Sequence, residues 1–163
     1  MLKAVVAGLQ ALRGVKKISA VSVVAELGPL SRFERPRQLM GYSGAVSRER
    51  SSGEHVWRGS ITKTGNAHLR RIVGEAAWSY RHRPCCGPAL RKRQAGLSEE
   101  VKAIAWKAQH RLHDRNRRLL ARGKHKNKAM TAVARELLGF IWAIGVQVEK
   151  EQAPKVCGKP PTA

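Results

Sequence analysis

Ser98-Glu-Glu-Val-Lys-Ala-Ile-Ala-Trp-Lys-Ala-Gln-His-Arg-Leu112 opens a long helical pattern. A serine followed by two glutamates is an N-cap with first-turn negative charge, which the helix dipole favours. Behind it Val101, Ile104, Ala105, Ala108, Leu112 and Leu119 recur at three- and four-residue spacing, the apolar face of one helix. Gly123 ends that helix. A second pattern runs from about Lys128 to Gln147, apolar at Ala132, Val133, Leu137, Leu138, Ile141, Trp142 and Ile144. Two such helices set the expected class: mainly α.

Upstream, Thr64 or Asn66 can cap a helix from Ala67 to about His82, with Leu69, Ile72, Val73, Ala76 and Ala77 as its buried face. Pro84 and Gly87-Pro88 then break the chain. Nearer the N-terminus, Leu2 to Arg13 reads as a helix ended by Gly14, and Ile18 to Leu27 as one stopped by Gly28-Pro29. A third begins near Pro36, with Gln38-Leu-Met-Gly-Tyr42 as its body. Between Ser43 and Gly65 the chain is glycine-rich, and Val46 with Val56-Trp57 predicts a small β-hairpin. These elements make one domain over residues 1–149, followed by a tail at 150–163 whose three prolines predict disorder.

The charge is lopsided: 32 Lys+Arg oppose 11 Asp+Glu, a net charge of +21. An excess this large implies a polyanionic partner, which could be DNA, RNA or an anionic membrane surface, or heavy counterion screening in the free protein. The longest apolar candidate, Leu137 to Val148, falls short of the roughly 18 residues that span a bilayer, so no membrane is expected. Gln10 and Arg13 interrupt the apolar N-terminus, which argues against an export signal. Three cysteines, two of them adjacent at Cys85 and Cys86, give no disulfide framework and fit a reducing cytoplasm. The carboxylates are scattered, with Asp114 the single aspartate, and do not read as the converging set that holds two metal ions. His82 with Cys85-Cys86 lacks the paired spacing of a zinc site, and no metal or cofactor is expected in this chain. Trp78, Trp106 and Trp142 read as core residues on apolar helix faces, while Trp57 lies in a basic loop.

Three segments carry candidate chemistry. Leu12-Arg-Gly-Val-Lys-Lys-Ile-Ser-Ala20 resembles the helix-hairpin-helix pattern whose backbone N–H groups hold a DNA phosphate. It keeps Leu12, Gly14, Val15 and Ala20 and departs at Arg13 and Lys16, so a plain helical corner fits it equally. Arg115-Asn-Arg-Arg-Leu-Leu-Ala-Arg-Gly-Lys-His-Lys-Asn-Lys128 packs seven basic residues with no acid among them. This favours phosphate contact through Arg117, Arg118, Lys124 and Lys126. Arg48-Glu-Arg-Ser-Ser-Gly-Glu-His-Val-Trp-Arg-Gly-Ser-Ile-Thr-Lys-Thr-Gly-Asn66 mixes glycine, hydroxyls and cations and runs into the helix that carries Arg70 and Arg71.

Seven blocks in fixed order carry a family resemblance: Leu12-Arg-Gly-Val, Glu26-Leu-Gly-Pro-Leu-Ser-Arg-Phe33, Pro36-Arg-Gln-Leu-Met-Gly-Tyr42, Ser51-Ser-Gly53, Arg58-Gly-Ser-Ile-Thr-Lys-Thr-Gly-Asn66, Leu69-Arg-Arg71 and Glu75-Ala-Ala-Trp78. Together they resemble the C-terminal half of insertion-sequence transposases of the 110/116/902 type, a group that includes the Piv DNA invertases. The resemblance implies DNA transposition or site-specific recombination guided by a bridge RNA. It implies a catalytic serine in this half and magnesium held by a RuvC-like DEDD domain in the other. Carried onto this chain, the serine falls at Ser52, with Ser51 and Ser60 as fallbacks. Arg48, Arg50, Arg58 and Lys63 are assigned to the phosphate by charge and proximity. The DEDD half is absent, so a truncated or split form is expected, inactive alone and assembling with a DEDD-containing half or the full-length transposase in a cytoplasmic, nucleoid-associated oligomer. The other readings are a non-catalytic nucleic-acid-binding regulator or remnant, and a basic structural protein of the ribosomal kind.

Overall fold

The computed structural model describes residues 1–52 and 55–153, with the side chains at 50, 51 and 56–58 outside the description. Its α-helices are α1 (Leu2–Leu9), α2 (Lys17–Leu27), α3 (Pro36–Tyr42), α4 (Ala67–Ala77), α5 (Pro88–Gln94), α6 (Glu99–Ala121) and α7 (Lys126–Gln152). Strands β1 (Ser47–Ser52) and β2 (His55–Ile61) form one antiparallel hairpin between α3 and α4. The mainly α expectation holds.

The core is organised around α7. Val133, Leu137, Leu138, Ile141 and Ile144 are buried along it, and α1, α3, α4 and α6 pack against it. Among the described residues α7 is the one helix long and apolar enough to cross a bilayer, and it extends past the expected stretch at both ends. Its surroundings make it a core helix. α6 supplies Val101, Ala105, Ala108 and Leu112 to the same core, capped by Ser98 Oγ accepting from the Val101 N–H at 3.4 Å. Glu149 is buried near the end of α7 and accepts from the N–H groups of Leu30 (2.6 Å) and Ser31 (2.8 Å). That carboxylate satisfies the orphan donors of the 3₁₀ turn at Leu30–Arg32.

Several expectations need correction. Helix α1 ends at Leu9, short of Arg13, because residues 10–12 tighten into i→i−3 bonds to Ala7, Gly8 and Leu9. Helix α4 ends at Ala77 and passes into a 3₁₀ turn, Trp78–Arg81. Helix α5 was not expected: Gly87-Pro88 starts it with proline in the first turn, where a missing N–H costs nothing. Trp106 is 46% exposed, outside the core, with its ring edge-on to His110 at 4.6 Å. The tail beyond Ala153 lies outside the described residues.

The helix-hairpin-helix-like segment forms a corner between α1 and α2. A methyl on Gly14 would stand 2.5 Å from the Ala76 carbonyl oxygen, so this glycine is explained by close packing of the corner on α4. Arg13 donates to the Arg83 carbonyl (2.7 Å) and Arg93 to the Val15 carbonyl (2.6 Å), tying the corner to the segment around α5.

Candidate nucleic-acid interface

The hairpin is anchored at its root. Its register pairs Ser47 with Ile61, then Glu49 with Arg58 and Ser52 with His55, with a bulge near Arg48. Beyond the strands, Thr62 N–H donates to the Val46 carbonyl (2.9 Å) and Lys63 N–H to the Gly44 carbonyl (3.2 Å). Gly44 has φ +67, and a Cβ there would collide with the Thr64 carbonyl, so only glycine fits this crossing. Arg70, from α4, donates to the carbonyls of Ser43 (2.8 Å) and Gly65 (3.3 Å), bridging both sides of the root. Asn66 caps α4 by accepting from the Leu69 N–H (2.8 Å) and donates to Glu26 of α2 (2.5 Å). His68 lies 3.2 Å from the same carboxylate. The loop sequence folds this way because its glycines permit the crossing and its polar side chains occupy the freed backbone groups.

The candidate residues fall into three places. Ser52, exposed, is the last residue of β1, and its register partner His55 begins β2. Ser60 is exposed farther down β2, and Arg48 is exposed with Nη2 donating to the Thr62 carbonyl (3.3 Å). The side chains of Arg50, Ser51 and Arg58 lie outside the described residues. Lys63, Arg70 and Arg71 meet at the hairpin root. Arg117, Arg118, Lys124 and Lys126 are exposed where α6 passes into α7. Six residue steps separate His55 from Ile61 at the root, so at ~3.3 Å per step the tip stands about 20 Å away.

At the root, α4, the hairpin and the first half of α7 enclose a cleft of about 550 Å³. Ala45, Ile61, Val73, Trp78, Met130 and Leu138 give it an apolar lining; Lys63, Arg70, Arg71 and Arg135 give it positive charge, with Glu75, Asn127 and Thr131 beside them. Arg135, Asn127 and Glu75 were not named as site residues from the sequence, because α4 and α7 meet only in the fold. His55 was read only as one position of the Arg48–Asn66 stretch, since its place opposite Ser52 depends on strand register.

Elsewhere the chemistry is sparse. Among the described residues no three His, Cys, Asp or Glu side chains converge to hold a metal ion. His82 accepts from Arg81 Nε (3.1 Å), and Cys86 Sγ lies 3.4 Å from Gln94 Oε1. Tyr80 is buried beneath the α1–α2 corner, and burial pushes its phenol pKa above the ordinary value against the opposing charges of Arg13 and Arg93.

A helical body of net charge +21, with an anchored hairpin over a cationic cleft, defines a strongly basic, mainly α class of protein. Within that class the affiliation is specific: residues 7–93 match the transposase IS116/IS110/IS902 family, and the chain belongs to it. It is 53% identical over 143 residues to a putative transposase, y4qE, of Sinorhizobium fredii, covering 88% of this chain and 37% of that protein. It is 38% identical over 65 residues (40% of this chain, 18% of the relative) to the transposase for insertion sequence element IS1111A of Coxiella burnetii. A probable family 20 transposase of Pseudomonas aeruginosa is 35% identical over 65 residues, 40% of this chain and 19% of its own length. The chain thus spans 37% or less of the length of these curated relatives.

Proposed function

We propose that this chain is the DNA-binding, serine-bearing part of a transposase, with Ser52 as nucleophile. The observation that carries this reading is the exposed Ser52 opposite His55, at the end of a hairpin whose root is fastened beside Lys63, Arg70 and Arg71. Ser52 Oγ attacks a phosphodiester phosphorus, forming an Oγ–P bond as the P–O bond to deoxyribose breaks. The serine proton passes to His55, and the leaving oxygen takes a proton from water and departs as a hydroxyl. The phosphate energy stays in the covalent link, available for rejoining. Arg48, Arg50 and Arg58 of the hairpin are the cations that hold the reacting phosphate and offset charge as it develops, while Lys63, Arg70 and Arg71 at the root hold the strand farther along. On the family resemblance, magnesium would be held by a DEDD-containing partner half. A guide RNA and oligomeric assembly in the cytoplasm, at the nucleoid, complete the proposal. The second reading, a non-catalytic nucleic-acid-binding regulator or remnant, draws on the same charge.

The test mixes this chain with a DEDD-containing transposase half, guide RNA, magnesium and donor DNA. A covalent protein–DNA adduct should form and disappear in Ser52→Ala while DNA binding persists. His55→Ala should slow adduct formation by about 10²–10⁴-fold, the usual contribution of a general base. Loss in Ser60→Ala but not Ser52→Ala would move the nucleophile to the fallback. An adduct indifferent to Ser51→Ala, Ser52→Ala and Ser60→Ala would leave the regulator.

A further inference from the structure

The cleft at the hairpin root contains a residue that the chain's own packing does not explain. Gly74 lies inside α4 and lines the cleft, and nothing stands within 4 Å of where its Cβ would be. Its φ is not in the left-handed region. Glycine is the least favourable residue in a helix interior apart from proline. Neither backbone conformation nor internal crowding demands it, so the missing side chain leaves room for something from outside.

The chemistry of the surroundings defines that occupant. Val73, Trp78, Met130 and Leu138 make an apolar bed, and the side chains of Lys63, Arg71 and Arg135 stand around it with no side-chain hydrogen bond or ion pair to another described residue. An apolar slot ringed by cations fits a flat uncharged ring attached to anions, and a nucleobase with its flanking phosphates has that form. A paired duplex is too wide for a space of about 550 Å³ and keeps its base faces hidden in the stack. The Glu75 carboxylate at the same wall can accept from an exocyclic amine of adenine or cytosine.

We infer that the cleft takes one unpaired DNA nucleotide, its base lying over Gly74 and its flanking phosphates on Lys63, Arg71 and Arg135. This rests on the reading that the hairpin side of the chain faces DNA. With the tip about 20 Å from the root at ~3.3 Å per residue, the cleft holds the strand away from Ser52 and serves to position it.

The test uses the full chain and three DNA probes: a paired duplex, the same duplex with one bulged 2-aminopurine, and a single strand containing that base. Wild type should prefer the unpaired-base probes by about 5–150-fold, the range that stacking one base contributes, with a change in 2-aminopurine fluorescence on binding. Gly74→Leu fills the slot with a better helix former and should bring the ratio of unpaired to paired affinity close to one. Thr131→Trp, an exposed position on the opposite wall, should do the same, so the outcome does not hang on one variant. A wild-type ratio near one, or a ratio unchanged in both folded variants, overturns the inference and leaves the DNA reading standing. Failure to bind any of the three probes overturns both. Tighter binding of an RNA strand of the same sequence overturns the assignment to DNA.

Discussion

Two single positions give stability predictions of different size. Tyr80 is 1% exposed, and its hydroxyl lies near the Arg13 backbone N–H without a hydrogen bond of full geometry. A buried hydroxyl so weakly partnered gains little to offset its lost hydration, so Tyr80→Phe should be near neutral at pH 7. Folding raises this phenol's pKa above its ordinary 10.0. The folded state therefore keeps the proton where the unfolded chain releases it. Stability from this group is complete below pH 10 and declines as pH rises further, by at most about 1.4 kcal/mol per pH unit. Urea titrations at pH 9 and 11 should show the decline in wild type and a smaller one in Tyr80→Phe; equal declines would refute the assignment. Gly44→Ala should destabilise. Its φ is +67 and a Cβ meets the Thr64 carbonyl, which at about 1–3 kcal/mol for a strained residue should lower the melting temperature by several degrees.

The elements differ in how far the sequence reveals them. Helices α4, α6 and α7 were legible because each buries one stripe at helical spacing, a signal local to the element. Their ends were less so: the last turn of α4 tightens where His113 Nδ1 lies 3.2 Å from the Tyr80 carbonyl, a contact made across 33 residues. Misplacing Trp106 has a geometric cause. It comes five residues after Val101, which at about 100° per residue turns it roughly 140° from that buried position. Helix α5 was hidden by treating Gly87-Pro88 as a breaker, when proline in a first turn also starts a helix. The hairpin was expected, yet its register rests on root bonds from Gly44, Ser43 and Arg70 that join distant parts of the chain. Hence Ser52, Lys63, Arg70 and Arg71 could be named as candidates from the sequence, but the place of His55, of Arg135 and of the space over Gly74 could not be read from it.

At the scale of the whole molecule, the decisive property is charge and where it lies. Of the 32 basic residues, one group rings the cleft and another runs through the α6–α7 junction. Arg117, Arg118, Lys124 and Lys126 are exposed there, and the junction leads into the α7 start, whose Asn127 reaches the cleft. A polyanion lying over the cleft can therefore continue onto the junction. Contacts of this kind release counterions, so affinity falls as salt rises, by about 10³–10⁵ between 50 and 200 mM for 6–10 phosphates. Neutralising all four junction residues should lower the slope of log affinity against log salt by up to about 3–4, near 0.9 per phosphate contact. Because phosphates carry no sequence information, the loss should be the same for unrelated duplexes. Fluorescence titrations of wild type and the fourfold variant at several salt concentrations would decide. An unchanged slope would place the junction off the nucleic acid and confine the interface to the hairpin and its root.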